Sequence, residues 1–300
     1  MHDDQLEVTT PIVTALIRDQ FPAWATLPVT SVDSEGTVNA IFRIGDNLVG
    51  RFPLQTGDVD EVRAWLQKEA RAERELGDHT QFRIPEPVAI GKPGDGYPLP
   101  WAVQTWLPGV TVSRQDQSGS FDFARDLATF VGELAAIEVG DRVFAGEGRG
   151  GDLQSHDEWI EICLSNIEPP LDTSHLGEMW AYFRELPRES SDAMTHGDLV
   201  PGNLLVSGGH LAGVLDVGGL GPADPSLDLV GAWHMLDSAP RQLFRDHLGC
   251  EPLDWERGKA WAFQQAMGVV WYYRTSNPPM SRMGFTTLSR LGADKNTPLR

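Results

Sequence analysis

The chain has 300 residues, 43 of them acidic and 24 basic, for a formal net charge of −19; 41% are hydrophobic, and there are 31 glycines, 21 prolines and two cysteines. That length and composition give room for two lobes with real cores and exclude a mainly disordered chain or a disulfide scaffold. The negative charge repels phosphate backbones, and no apolar run reaches the roughly 18 residues of a membrane span, so neither nucleic acid nor membrane is an expected partner and a reducing cytoplasm is the expected setting.

The first helix is expected behind Thr10 as N-cap and Pro11 at the first helical position, with Ile12, Ala15 and Leu16 on one face. Three short strands follow at residues 29–32, 39–44 and 48–52, the last two joined by Gly45-Asp46-Asn47. A charged helix over 58–76 precedes strands at 87–90 and 101–107. Past Gly109 the pattern turns helical, starting with a core helix over 121–135 behind the cap residue Ser120. A glycine-rich link at 146–151, helical stretches around Trp159 and Trp180 and a break at Met194 lead to strands at 204–206 and 211–215, separated by Ser207-Gly208-Gly209-His210. Everything after Asp224 reads as helix, and its aromatic set, Trp255, Trp261, Phe263, Trp271, Tyr272 and Tyr273, reads as core.

The chemistry-bearing stretch is His196-Gly197-Asp198 with Asn203 opening the first strand of this hairpin, then Leu215-Asp216-Val217-Gly218 at the end of the second. Hard oxygen ligands converging from two strand ends suit Mg²⁺ that shares its shell with phosphates and water. Phosphoryl transfer needs such a metal and a group that orients the attacking hydroxyl. Asp198 suits the hydroxyl, and Asn203 and Asp216 suit the metal. His196 is expected to brace the loop, Asp224 to cap a helix, and Asp228 to support the loop from that helix.

Those residues, with Asp224-Pro225-Ser226-Leu227-Asp228-Leu229 behind them, resemble the aminoglycoside phosphotransferase family, which is similar in fold to eukaryotic protein kinases. The resemblance covers residues 29–291 and implies an α+β, protein-kinase-like two-lobed fold. The implied nucleotide lobe is small, β-rich and crossed by one helix, over 1–108 including a hinge; the implied catalytic and substrate lobe is helical, over 109–300, and carries the catalytic β-hairpin. It implies Asp198 as catalytic aspartate, Asn203 and Asp216 as magnesium ligands, ATP or GTP as donor, and a small-molecule hydroxyl, on a cationic or a neutral molecule, as acceptor. An antibiotic of the aminoglycoside kind is the first expectation, on a monomer or homodimer.

Where the family carries a phosphate-contacting lysine this chain has Arg51, a fork in place of a point charge. Glu69 is the expected partner of Arg51, with Glu73 the alternative. The phosphate-covering loop is expected at 33–39, without a Gly-x-Gly-x-x-Gly and so resting on Gly36 and Asn39; the purine is expected on the backbone of Gln104-Thr105-Trp106-Leu107. Val217 stands where an aromatic residue is usual. A kinase of choline, homoserine or sugars, a nucleotide-binding pseudoenzyme, and a metal-dependent hydrolase built on Asp198, Asp216 and His196 are the competing readings.

Overall fold

The computed structural model describes residues 5–33, 38–94, 96–146 and 148–294. It forms two units: residues 5–78, 82–109 and 213–218 make the first, and 79–81, 110–212 and 219–294 the second. Neither unit is one continuous stretch of chain. The short segment bearing Asp216 belongs to the first.

In the first unit, helix α1 (Thr10–Gln20) is capped by Thr9 rather than Thr10, because Thr9 holds the extended backbone of a cap while Thr10 is already helical. Strands β1 (Val29–Val32), β2 (Asn39–Ile44), β3 (Leu48–Pro53), β4 (Pro87–Gly91) and β5 (Trp101–Thr105) make one sheet in the order β1-β2-β3-β5-β4, every neighbour antiparallel. Strand β5 stops two residues short of the sequence expectation, since the Trp106 amide turns to donate to the Asn47 carbonyl at 2.8 Å. Phe42, Ile44, Phe52, Trp101 and Val103 pack against Val13, Leu16 and Ile17 of α1. Phe52 and Trp101 stack with centroids 4.7 Å apart, and a side chain at Gly91 would occupy the indole's place. Helix α2 (Val59–His79) starts after Asp58, whose carboxylate accepts from the amides of Asp60 and Glu61, and it runs past the expected end at Leu76.

The second unit opens with strand β6 (Val110–Thr111) and helix α3 (Phe121–Ala135), capped by Ser120 as the sequence indicates, the Phe123 amide donating to its hydroxyl at 3.1 Å. Helices α4 (Asp157–Asn166) and α5 (Thr173–Phe183) follow, then strand β7 (Ala193–Thr195), the hairpin of β8 (Leu204–Ser207) and β9 (His210–Val214), and strand β10 (Gly221–Ala223). Strands β7 and β10 pair antiparallel, and β6, β8 and β9 form a second small sheet. Helices α6 (Val230–Met235), α7 (Ser238–Leu248), α8 (Pro252–Tyr272) and α9 (Pro278–Gly292) complete the unit. Trp255, Trp261 and Phe263 of α8 are buried core, but Tyr272 is exposed, so the aromatic set divides. No helix among the described residues is long and apolar enough to cross a membrane.

Candidate active site

In the second unit the chain leaves β7 through His196, which is fully buried, and Gly197, whose φ of 79° is open to glycine and strained for other residues. The amides of His196 and Gly197 donate to the two oxygens of Asp228 at 2.7 and 2.9 Å. Burial pushes the Asp228 carboxyl up, against the opposing pull of His196 and these amides. The Asp198 amide in turn donates to His196 Nδ1 at 3.3 Å. The loop is thus fixed from beneath by groups that leave the Asp198 side chain at its outer edge, 45% exposed.

Three donors converge on that carboxylate. Arg149 Nη2 and Gln265 Nε2 both reach Oδ1 at 3.0 Å, and Asn203 Nδ2 reaches Oδ2 at 3.1 Å while also donating to the Asp198 carbonyl at 3.0 Å. Because the Asn203 amide nitrogen is held by Asp198, its Oδ1 is turned away from Asp198 and keeps its acceptor capacity. Asp224 is fully buried. It caps the following turn through the Ser226 amide at 2.9 Å and accepts from Arg257 Nε and Nη2 at 2.8 and 2.6 Å and from Trp261 Nε1 at 2.9 Å.

In the first unit, Arg51 of β3 faces three carboxylates. Its Nη2 donates to Asp216 Oδ1 at 2.9 Å, and its Nη1 lies 3.7 Å from Glu69 Oε2 and 3.9 Å from Glu73 Oε1. Burial pulls this guanidinium down, but Glu69, Asp216 and Glu73 together hold it above the ordinary arginine value. Glu69 and Glu73 sit one turn apart on α2 and are both buried, so the geometry brings both to Arg51. Burial pushes Glu73 up to about 8, against the attraction of Arg51. One Glu73 oxygen accepts from Gln104 Nε2 and the other is buried with no hydrogen-bond partner among the described residues. Asp216 has a φ of 58°, the left-handed conformation that Asp and Asn adopt more readily than other side chains, and its carboxylate is half exposed. Val217, by contrast, is fully buried. A Cβ on Gly218 would lie 2.5 Å from Glu69 Oε1, so glycine here lets Glu69 approach Arg51.

The residues expected to form a hinge divide. Gln104 is buried in β5 with its side chain on Glu73, Thr105 exchanges hydrogen bonds with the Glu86 backbone, and the Trp106 amide is taken by Asn47. The Leu107 amide carries no hydrogen bond among the described residues. Asn39 opens β2, buried, and its Oδ1 has no hydrogen-bond partner among the described residues. Gly36 lies outside the described residues. Sequence reasoning missed Arg149, Gln265 and Arg257. A cation flanked by Gly148 and Gly150 was a usable signal for the first; nothing local marks the other two, which reach their carboxylates from α8.

The family profile of the phosphotransferase enzyme family, APH, matches residues 30–261. An aminoglycoside 3'-phosphotransferase of Escherichia coli is 28% identical over 161 residues, 49% of this chain and 58% of that protein; one of Salmonella typhimurium matches to the same extent. The matched segment thus spans somewhat over half the length of these curated relatives. Among solved structures, the GDP and kanamycin complex of APH(2")-IIIa has a TM-score of 0.70 at 22% identity, covering 94% of this chain and 99% of that one. The macrolide 2'-phosphotransferase MphH from Brachybacterium faecium has a TM-score of 0.56 at 19% identity, covering 89% and 93%. These structures share an α+β architecture with an antiparallel sheet followed by a helical unit, the kinase-like fold the motifs imply. With its profile matched across most of its length, from β1 into α8, the chain belongs to the phosphotransferase enzyme family.

Proposed function

We propose that the protein transfers the γ-phosphate of ATP or GTP to a hydroxyl of a small molecule, an aminoglycoside or related antibiotic before any other, with Asp198 accepting the proton of that hydroxyl. The observation that carries this reading is the donor pattern on Asp198: Oδ1 holds two hydrogen bonds, while Oδ2 holds one from Asn203 and retains acceptor capacity at the loop's exposed edge. An oxygen so placed can take a hydroxyl hydrogen as the oxygen beneath it attacks phosphorus. Three donors orient the carboxylate before the acceptor arrives.

The nucleotide side rests on Arg51 and the hinge. Arg51, held by Asp216, Glu69 and Glu73, is the cation proposed for the phosphate oxygens, and the Leu107 amide is the hinge donor proposed for a purine edge. Asn39, at the start of β2, is proposed on the same side. Asn203 and Asp216 are the proposed magnesium ligands. Their fit is chemical: a neutral amide oxygen turned away from Asp198 and a half-exposed carboxylate are hard oxygen donors. Bound there, Mg²⁺ supplies charge neutralisation to the phosphate oxygens. His196 and Asp228 hold the loop and touch no reacting atom in this reading.

The similar proteins are aminoglycoside and macrolide phosphotransferases by name, one of them bound to kanamycin, which supports the choice of acceptor class. The test is a mass-spectrometric screen for added phosphate over aminoglycosides, macrolides, choline and sugars, with Mg²⁺ and either ATP or GTP. Phosphorylated antibiotic that disappears with Asp198→Ala supports the reading. Nucleotide binding without turnover on any acceptor would establish the pseudoenzyme reading instead.

A further inference from the structure

Behind Asp198 lies a file of polar side chains that the nucleotide and acceptor roles do not use. Gln265 of α8 is buried and donates from Nε2 to Asp198 Oδ1 at 3.0 Å. Its Oε1 lies 3.1 Å from Nε2 of His234 in α6, and His234 Nδ1 lies 2.9 Å from Thr287 Oγ1 in α9. His234 and Thr287 are buried too. The file crosses three helices and ends on the carboxylate.

Its direction follows from donor and acceptor capacity with His234 neutral. An ionised carboxylate only accepts, so the Gln265 NH₂ must face Asp198 and its carbonyl must face His234. A carbonyl only accepts, so His234 carries its proton on Nε2. A neutral imidazole protonated there has a lone pair on Nδ1, so the Thr287 hydroxyl donates to it. Each link fixes the next, and reversing any one would leave two acceptors or two donors facing each other in the core. Burial holds His234 neutral, down to about 4, as this sequence of donors demands.

We infer that Gln265, held by His234 and Thr287, is a positioning residue that fixes the Asp198 carboxylate so that Oδ2 faces the acceptor hydroxyl. Arg149 shares Oδ1 but comes from the glycine-rich link between residues 146 and 151, where Gly146, Gly148 and Gly150 all have positive φ. Gln265 comes from the interior of a buried helix. Of the two donors on Oδ1, it is the one anchored to the helical core.

The inference rests on Asp198 being the proton acceptor, and the experiment separates the two. Gln265→Met keeps the volume and removes both hydrogen-bonding groups. In the phosphorylation assay it should lower kcat about tenfold or more, with KM for nucleotide unchanged within about twofold, because the nucleotide contacts lie elsewhere. His234→Gln retains an amide donor toward Gln265 and should keep most of the activity, whereas His234→Phe should resemble Gln265→Met. If Asp198→Asn leaves turnover intact, the proton-acceptor reading itself fails. If Asp198→Asn is inactive and Gln265→Met turns over normally, only the positioning role is overturned. A second readout needs no acceptor and no variant that must fold: nitrogen-15 NMR of the intact protein should show His234 neutral with its proton on Nε2. A proton on Nδ1 would reverse the file and overturn the inference.

Discussion

A side chain at Gly218 would press directly on Glu69. A methyl there stands 2.5 Å from Glu69 Oε1, and Glu69 is one of the carboxylates holding Arg51. Gly218→Ala should therefore destabilise the chain by about 1 to 3 kcal/mol and raise the apparent KM for nucleotide, measured by urea unfolding and by saturation kinetics. A variant with wild-type stability would show that Glu69 is not pinned. Arg51 gives a sharper test. Its Nη1 lies within 0.2 Å of equidistant from Glu69 and Glu73, at 3.7 and 3.9 Å, so a double-mutant cycle on KM should find coupling of Arg51→Ala with both Glu69→Ala and Glu73→Ala. Strict additivity with either removes that residue from the cluster. Arg51→Lys should retain part of the activity, since an ammonium keeps the charge while losing the fork that serves Asp216 and the two glutamates together.

At the scale of one helix, α2 carries two buried acids on successive turns toward one cation, and this makes stability depend on pH. Glu73 has its carboxyl pushed up to about 8 from a reference of 4.5, burial being the main cause. Between those values the unfolded chain has lost the proton that the folded chain keeps, so stability falls as pH rises from about 4.5 to about 8 and is flat in this respect above. Glu73→Gln is neutral throughout. Its stability relative to wild type should improve across that window, by on the order of 4 kcal/mol at most, in urea unfolding followed from about pH 5 to about pH 9. Parallel curves would mean that Glu73 ionises freely.

The elements also show why some structure was readable and some was not. Strands β2 and β3 and helix α3 announce themselves by alternation, by turn residues and by a cap, which are local signals. Strands β7 and β10 are three residues each, too short to alternate, and each exists because the other is there. The pattern around Asp198, Asn203 and Asp216 was legible because the chemistry fixes residue types at short spacing. Arg149, Gln265 and Arg257 were not, because their partners lie 49, 67 and 33 residues away and only the folded chain brings them together. On α2 the sequence offered Glu69 or Glu73 as alternatives. Residues four apart on a helix share a face, and the fold uses both.

For the whole molecule, a net charge of −19 sets a long-range field that no local motif reports. A cationic acceptor should be drawn in, so its kcat/KM should fall as potassium chloride is raised from about 0.02 M to about 0.5 M, while that of any uncharged acceptor in the screen should change far less. Equal salt dependence for both would assign the acidity to solubility alone.

The first unit is assembled from segments far apart in the sequence, with residues 213–218 completing what residues 5–78 and 82–109 begin. A gene fragment ending near Gly109 would thus encode Arg51 without Asp216 and Glu69 without the glycine it packs on. Recombining this chain with a homologue by a single crossover near Gly109 would unite an arginine from one parent with a carboxylate from another. Chimeras that carry 213–218 along with the N-terminal segment should express and bind nucleotide better than those that exchange the N-terminal segment alone, because the unit that is inherited together is not the unit that is contiguous.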